Sequence, residues 1–147
     1  MIPFDRLKSG VETRSADETM GLAAEVERLL PNEAIITLNG DLGTGKTTFI
    51  KGLATAVGIE EVVTSPTFNI FNTYHGRKTL LHMDAYRLEG NPKIIDELML
   101  EDFMIPPYRL AIEWPGNMGE IPWPVTIALE FSVLSSGNHR IRLIPRH

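Results

Sequence analysis

The sequence predicts an α/β fold, a mixed β-sheet with flanking helices and antiparallel edge strands, in a single domain spanning 1–147. Three observations carry this. Gly40-Asp41-Leu42-Gly43-Thr44-Gly45-Lys46-Thr47-Thr48 fits G-x-x-x-x-G-K-[ST], a pattern that a 147-residue chain of average usage contains by accident about once in 200. Ala34 to Leu38 ahead of it is a β-branched apolar run, suited to a strand buried on both faces. Behind it Phe49, Ile50, Leu53 and Val57 recur at helical spacing, with Gly58 at the C-cap position. Strand, glycine loop and helix in this order form the context of a phosphate-binding P-loop, so the fold is expected to be P-loop NTPase-like.

Residues 1–14 carry little signal beyond a short edge strand at Val11 to Arg14. Ser15-Ala16-Asp17-Glu18 is a capping box, and Leu22, Val26, Leu29 and Leu30 follow on one face, which predicts an amphipathic helix over 16–30. Pro31-Asn32 ends it. After the P-loop unit at 34–58, Pro66 pushes Ser65 out of helical space. Phe68 to Tyr74 and Lys78 to Met83 flank His75-Gly76 and read as a hairpin. Asn91-Pro92 looks like an N-cap followed by proline at N1, with Ile95, Leu98 and Met99 as the apolar face of a short helix. Arg109 to Glu113 is a further inner strand. Val125, Ile127, Leu129, Phe131 and Val133 alternate, Ser136-Gly137-Asn138 turns the chain, and Ile141 and Leu143 resume the pattern. This predicts an antiparallel edge hairpin covering one face.

Hydrophobic content of 43% and charged content of 22% are ordinary for a soluble globular chain. The net charge of −5, with its basic residues scattered, argues against tight autonomous binding of nucleic acid. The absence of cysteine excludes disulfides, thiol catalysis and Cys-ligated zinc. Met1 to Asp5 lacks the pattern of a signal peptide, and no apolar run approaches membrane-spanning length, so a soluble cytoplasmic protein is expected.

The residue types of the loop suit anion binding. Gly43 and Gly45 can take positive φ, turning successive N–H groups inward as a nest, and the helix beginning near Lys46 adds its N-terminal donors. Lys46 can reach the β and γ phosphates of a nucleotide, and Thr47 can ligate Mg²⁺. Mg²⁺ requires oxygen ligands, usually including a carboxylate. Asp84 and Glu113 each end an apolar stretch where such an acid belongs, at the strand C-termini where open α/β sheets bind ligands. Thr67, beside Pro66, is a candidate γ-phosphate sensor or a simple turn residue. His82 alternates with Asp84 and, with no second ligand at metal spacing, reads as packed or hydrogen-bonded. Trp114 and Trp123 are either core anchors or an exposed contact surface.

Four stretches together, GDLGTGKTTF (40–49), TSPTFNIFNTY (64–74), HMDAYRLEG (82–90) and IEWPG (112–116), resemble in order and spacing the TsaE (YjeE) family of bacterial tRNA threonylcarbamoyladenosine biosynthesis. The resemblance covers nearly the whole chain. It implies an ATP- and Mg²⁺-dependent P-loop ATPase that works with the TsaB–TsaD heterodimer, which transfers threonylcarbamoyl to adenosine 37 of tRNAs. Contact with tRNA would be indirect, through that complex. By motif match, Leu42 to Thr47 would contact phosphates within the nucleotide-binding stretch Gly40 to Thr48. Thr47 and Glu113 would hold Mg²⁺, and Lys46, Asp84 and Thr67 would serve hydrolysis. The helix start near Asp17-Glu18-Thr19 would lie towards the adenine, and Ser65-Pro66-Thr67 would act as a switch segment. Two positions depart from the family pattern: Gly116 stands where a glutamate commonly follows Glu-Trp-Pro, and Ala85 replaces a leucine.

Two other functions compete. One is a nucleotide-gated binding module in the same assembly, with no required hydrolysis. The other is a small-molecule kinase, which would need an arginine-bearing lid and an acceptor-activating Asp. Arg87 and Arg109 are isolated in the sequence, and no glycine-flanked lid stands out.

Overall fold

The computed structural model describes residues 3–66, 70–86, 98–118 and 121–145. In chain order the elements are helix α1 (Pro3–Ser9), strand β1 (Val11–Thr13), helix α2 (Ala16–Glu27), strand β2 (Glu33–Asn39), helix α3 (Lys46–Ala56), strands β3 (Phe71–His75) and β4 (Thr79–Asp84), a 3-10 turn (Leu100–Phe103), strand β5 (Tyr108–Glu113), a second 3-10 turn (Pro115–Met118), and strands β6 (Ile127–Val133) and β7 (His139–Leu143). The strands form one sheet in the order β1-β7-β6-β2-β5-β4-β3. Its centre is parallel, β2 pairing with both β5 and β6 and β5 with β4, while β1, β7 and β3 run antiparallel to their neighbours. This is the mixed, P-loop NTPase-like sheet with antiparallel edges that the sequence predicts.

One expectation is corrected. The 125–143 segment is an antiparallel hairpin as expected, but it lies neither at the sheet edge nor as a cover over one face. β6 lies inside the sheet, with Ile36 opposite Ile127 and Leu38 opposite Leu129, and β1 forms the edge beyond β7. The strict alternation of β6 reports a strand covered on one face only. Its inward residues meet α3, where Phe49 and Phe131 pack edge to face at 5.6 Å. β5, covered on both faces, is buried at all six positions.

α2 and α3 lie together on one face over Ile36, Leu38, Leu80, Ala111 and Leu129. Their close approach depends on Gly52, where a Cβ would fall 2.7 Å from the Met20 Cα and the Ala23 Cβ. The α2 start is capped as its sequence implies, with Ser15 Oγ accepting from the Glu18 N–H at 3.1 Å. The Glu18 carboxylate reaches back to the Arg14 N–H at 3.1 Å, and the helix stops at Glu27, shorter than the predicted 16–30. The α3 end closes around Gly58, at φ 79°, with Ile59 N–H on Ala54 O and Gly58 N–H on Thr55 O, a Schellman arrangement. The short helix proposed around Asn91-Pro92 falls almost wholly outside the described residues. α1, which the sequence did not signal, buries Leu7 completely.

Arg109 is not isolated in space. Fully buried at the start of β5, it donates to both Glu27 carboxylate oxygens, Nε to Oε2 at 2.6 Å and Nη2 to Oε1 at 2.9 Å, while Lys78 Nζ reaches Oε1 at 2.6 Å. A fork-to-fork pair of this kind offsets the cost of burying both charges. It ties α2 to the end of the sheet opposite the glycine loop.

Candidate functional site

The C-terminal ends of β2, β4 and β5 converge on the α3 N-terminus. Register explains which side chains meet there. Asp84 lies opposite Glu113 on the adjacent parallel strand, and Leu38, the penultimate residue of β2, lies opposite Glu113 on the other side. The turn after β2 therefore brings the glycine loop beside both carboxylates. A cavity of about 230 Å³ results, lined by Leu42, Gly43, Thr44, Gly45, Lys46, Thr47 and Thr48 of the loop together with Ser65, Asp84, Glu113, Trp114 and His139.

The loop has the backbone that its glycines permit: Gly43 has φ 78° and Gly45 φ 103°. At Gly45 a side chain is excluded twice over, since a Cβ would also sit 2.9 Å from His139 Nδ1. Thr44 Oγ1 donates to the Asp41 carbonyl at 2.7 Å and locks the turn. Gly40 and Asp41 do not line the cavity. Their carbonyls instead accept from Lys46 Nζ, at 2.9 Å for Asp41. The ammonium also lies 4.2 Å from the centre of the Trp114 ring. Burial holds the Lys46 pKa below its usual value, and the carboxylates of Glu113, Asp41 and Asp84 counteract this in part.

The Thr47 hydroxyl donates to Glu113 Oε1 at 3.4 Å and lies 3.1 Å from Ser65 Oγ. The second Glu113 oxygen, Oε2, meets His82 Nε2 at 2.6 Å, with both side chains buried. Asp84 borders the cavity and accepts from the Tyr86 N–H at 3.0 Å. The structure thus gathers Lys46, Thr47, Asp84 and Glu113. Thr67 lies outside the described residues. Hydroxyls of Thr47 and Ser65 beside carboxylates of Asp84 and Glu113 make an all-oxygen donor set, which suits a hard divalent cation.

Three neighbours were not named as ligands from sequence, although Ser65 was expected in a switch segment. Ser65 enters through its bond to Thr47. Trp114, left undecided, is placed over Lys46 by a left-handed backbone at φ 60°, rare for so bulky a residue and of the kind that concentrates at functional sites. Its ring also packs on Tyr86, centroids 5.1 Å apart. His139 comes from the distant β7 and has no local signal. Trp123 lies elsewhere, its indole N–H donating to Glu101 at 3.1 Å. A smaller cavity of about 130 Å³ shares Thr48 and His139 with the first and runs to Thr13, Arg14, Ser15, Ala16, Thr19 and Asn138. Of the α2 residues expected near an adenine, Thr19 lines it, while Glu18 is engaged in the cap.

The family model described as "Threonylcarbamoyl adenosine biosynthesis protein TsaE" matches residues 13–142. The chain is 39% identical over 130 residues to the tRNA threonylcarbamoyladenosine biosynthesis protein TsaE of Treponema pallidum, covering 88% of this chain and 95% of that protein. Its counterpart of the same name in Aquifex aeolicus is 36% identical over 132 residues, covering 88% and 90%. The crystal structure of Bacillus subtilis YdiB superposes with a TM-score of 0.72 at 30% identity, over 91% of this chain and 82% of that one.

Proposed function

The chain belongs to the TsaE family, and from that premise we propose that it binds ATP with Mg²⁺ in the cavity at the glycine loop, hydrolyses it, and thereby supports a TsaB–TsaD complex in threonylcarbamoyl modification of tRNA adenosine 37. One observation carries the reading. A hydroxyl from the first turn of α3, Thr47, and a carboxylate from the end of β5, Glu113, meet at 3.4 Å beside a loop whose glycines hold positive φ. An anion nest next to an oxygen cluster is what a Mg²⁺-bound polyphosphate requires.

In this proposal the loop N–H groups from Leu42 to Thr48 and the α3 N-terminus bind the phosphates. Lys46 exchanges its two carbonyl partners for phosphate oxygens, a stronger charge-assisted contact. Thr47 and Glu113 would hold Mg²⁺, which when bound neutralises phosphate charge. Asp84, at the cavity wall, orients the attacking water and accepts its proton, and Thr67 closes over the γ-phosphate. The smaller cavity, which shares Thr48 and His139 with the first, takes the nucleoside. The site of action would be the cytoplasm, where the tRNA is; no helix among the described residues is long and apolar enough to cross a membrane.

A nucleotide-gated module without required hydrolysis is the second reading. No arginine lines the 230 Å³ cavity among the described residues, so the groups present serve binding more completely than turnover. Asp84→Asn separates the two. Under the leading proposal it binds ATP normally, assembles with TsaB–TsaD, and fails to sustain multiple rounds of tRNA modification. Full modification by a variant that no longer hydrolyses ATP would favour the gated module, and failure of the wild type to bind ATP would overturn both.

A further inference from the structure

We propose that His82 is a positioning residue for Glu113, holding one carboxylate oxygen so that the other faces Thr47, and that it thereby sets the affinity of the site for a divalent cation rather than for the nucleotide. The inference rests on the nucleotide reading above and deepens it.

His82 lies on β4 opposite Ala111, so Glu113 is its diagonal neighbour two residues further along β5, on the same face. Its nearest neighbours on that face, Leu80 and Ala111, are apolar and fully buried, with Arg109 and Asp84 further along it. His82 is itself 0% exposed, a position where the strand pattern calls for an aliphatic residue. Its Nδ1 has no partner among the described residues. A histidine here therefore carries a desolvation cost that an aliphatic residue would avoid. The 2.6 Å contact from Nε2 to Glu113 Oε2 is what offsets it.

The bond also decides how the carboxylate stands. An ionised carboxylate only accepts, so Nε2 carries the proton and donates. With Oε2 taken, Oε1 is directed at the Thr47 hydroxyl, 3.4 Å away. Without that donor, Oε2 would be buried and unsatisfied, and Glu113 would turn to find water or another donor. Groups that orient a ligating side chain in this way typically alter metal affinity by about 10- to 100-fold when removed. Among the described residues His82 reaches the loop only through Glu113 and the Thr47 side chain, not through a loop N–H, so binding of metal-free nucleotide is expected to be indifferent to it.

Two amide substitutions test this, since both are polar and neutral and differ chiefly in reach. His82→Gln can place an N–H near the Nε2 position; His82→Asn is too short. ADP is titrated calorimetrically into wild type and both variants, with Mg²⁺ and with a chelator, and thermal unfolding is followed alongside. Expected are metal-free affinities within about twofold of one another, a Mg²⁺-dependent gain reduced about tenfold or more in His82→Asn, and most of that gain retained in His82→Gln. Equal gains in the two variants, or equal losses with and without Mg²⁺, would overturn the proposal by making His82 merely structural. Should His82→Asn not fold, His82→Gln still decides, because losing the Mg²⁺ gain there despite its donor contradicts the idea. If wild type binds no ADP in either titration, the nucleotide function itself falls. If it binds with a Mg²⁺ gain that His82→Asn keeps, only the role of His82 falls.

Discussion

Lys46 and Trp114 meet as cation and ring, the ammonium 4.2 Å from the indole centre, and the lysine is buried with its pKa below the ordinary 10.5. Burial disfavours the charged form, and under the proposed function bound phosphate would restore it. Between the lowered pKa and 10.5 the unfolded chain holds a proton that the folded one lacks. Stability of the free protein therefore rises with pH across that window. Nucleotide binding has the opposite sign, because it draws a proton onto Lys46. ADP affinity should fall as pH rises, beginning below 10.5, with proton uptake measurable by calorimetry in buffers of different ionisation enthalpy. Lys46→Met should bind more weakly, by at least about 2 kcal/mol, with no such pH dependence. An identical alkaline decline in Lys46→Met would assign the titration to another group.

Glu113→Gln keeps the shape of the side chain and removes its charge. It should weaken Mg²⁺-dependent nucleotide binding more than metal-free ADP binding, because only the former needs an anionic oxygen ligand. Calorimetry with and without Mg²⁺ measures the two. Equal effects would make Glu113 a structural acid.

The central strand, the loop and the two acidic strand ends were legible because each is a local signal. Ala34 to Leu38, the glycines and the residues Asp84 and Glu113 announce themselves within a few positions. The place of β6 was not legible. Alternation reports how many faces are covered, and it is silent about which strand lies alongside. The Ile36–Ile127 pairing joins residues far apart in sequence. The same limit hid His139, which reaches the loop from β7, and the partner of Arg109, which lies on α2.

Arg109 illustrates the consequence. An isolated arginine in a chain with a phosphate-loop motif invites a catalytic role, but its bidentate bond to Glu27 ties it into the core. Arg109→Leu should cost about 3–5 kcal/mol, since it leaves a buried carboxylate with Lys78 alone. Nucleotide affinity of the folded fraction should be unchanged. Chemical denaturation beside ADP titration checks both, and a variant of normal stability with impaired turnover would contradict this assignment.

Gly52→Ala sets two effects against each other. Alanine favours a helix over glycine by about 1 kcal/mol. The added methyl would press on the Met20 backbone at 2.7 Å, where no flexible side chain can yield. Overpacking of this kind costs about 1–3 kcal/mol. A net loss of stability is expected, and a raised melting temperature would show that α2 and α3 can separate freely.

The last expectation concerns catalysis by the chain alone. The cavity offers the loop, Lys46, Thr47, Asp84 and Glu113, and no arginine among its described lining. In phosphoryl transfer a cation placed on the developing charge contributes roughly 10³–10⁵ in rate. Lys46 starts from bonds to the Gly40 and Asp41 carbonyls, so it must also be drawn away before it can serve. Under the proposed function, both features predict slow ATP hydrolysis by the isolated protein. A TsaB–TsaD partner could supply a cation, or bring Ser65 and Thr67 onto the nucleotide. Steady-state hydrolysis should therefore be low for the chain alone and rise on addition of TsaB–TsaD, while Lys46→Ala should show no stimulation. Rapid turnover by the chain alone, unaffected by the partner, would mean that the catalytic set is complete within these 147 residues, and a role for partner-supplied groups would have to be abandoned.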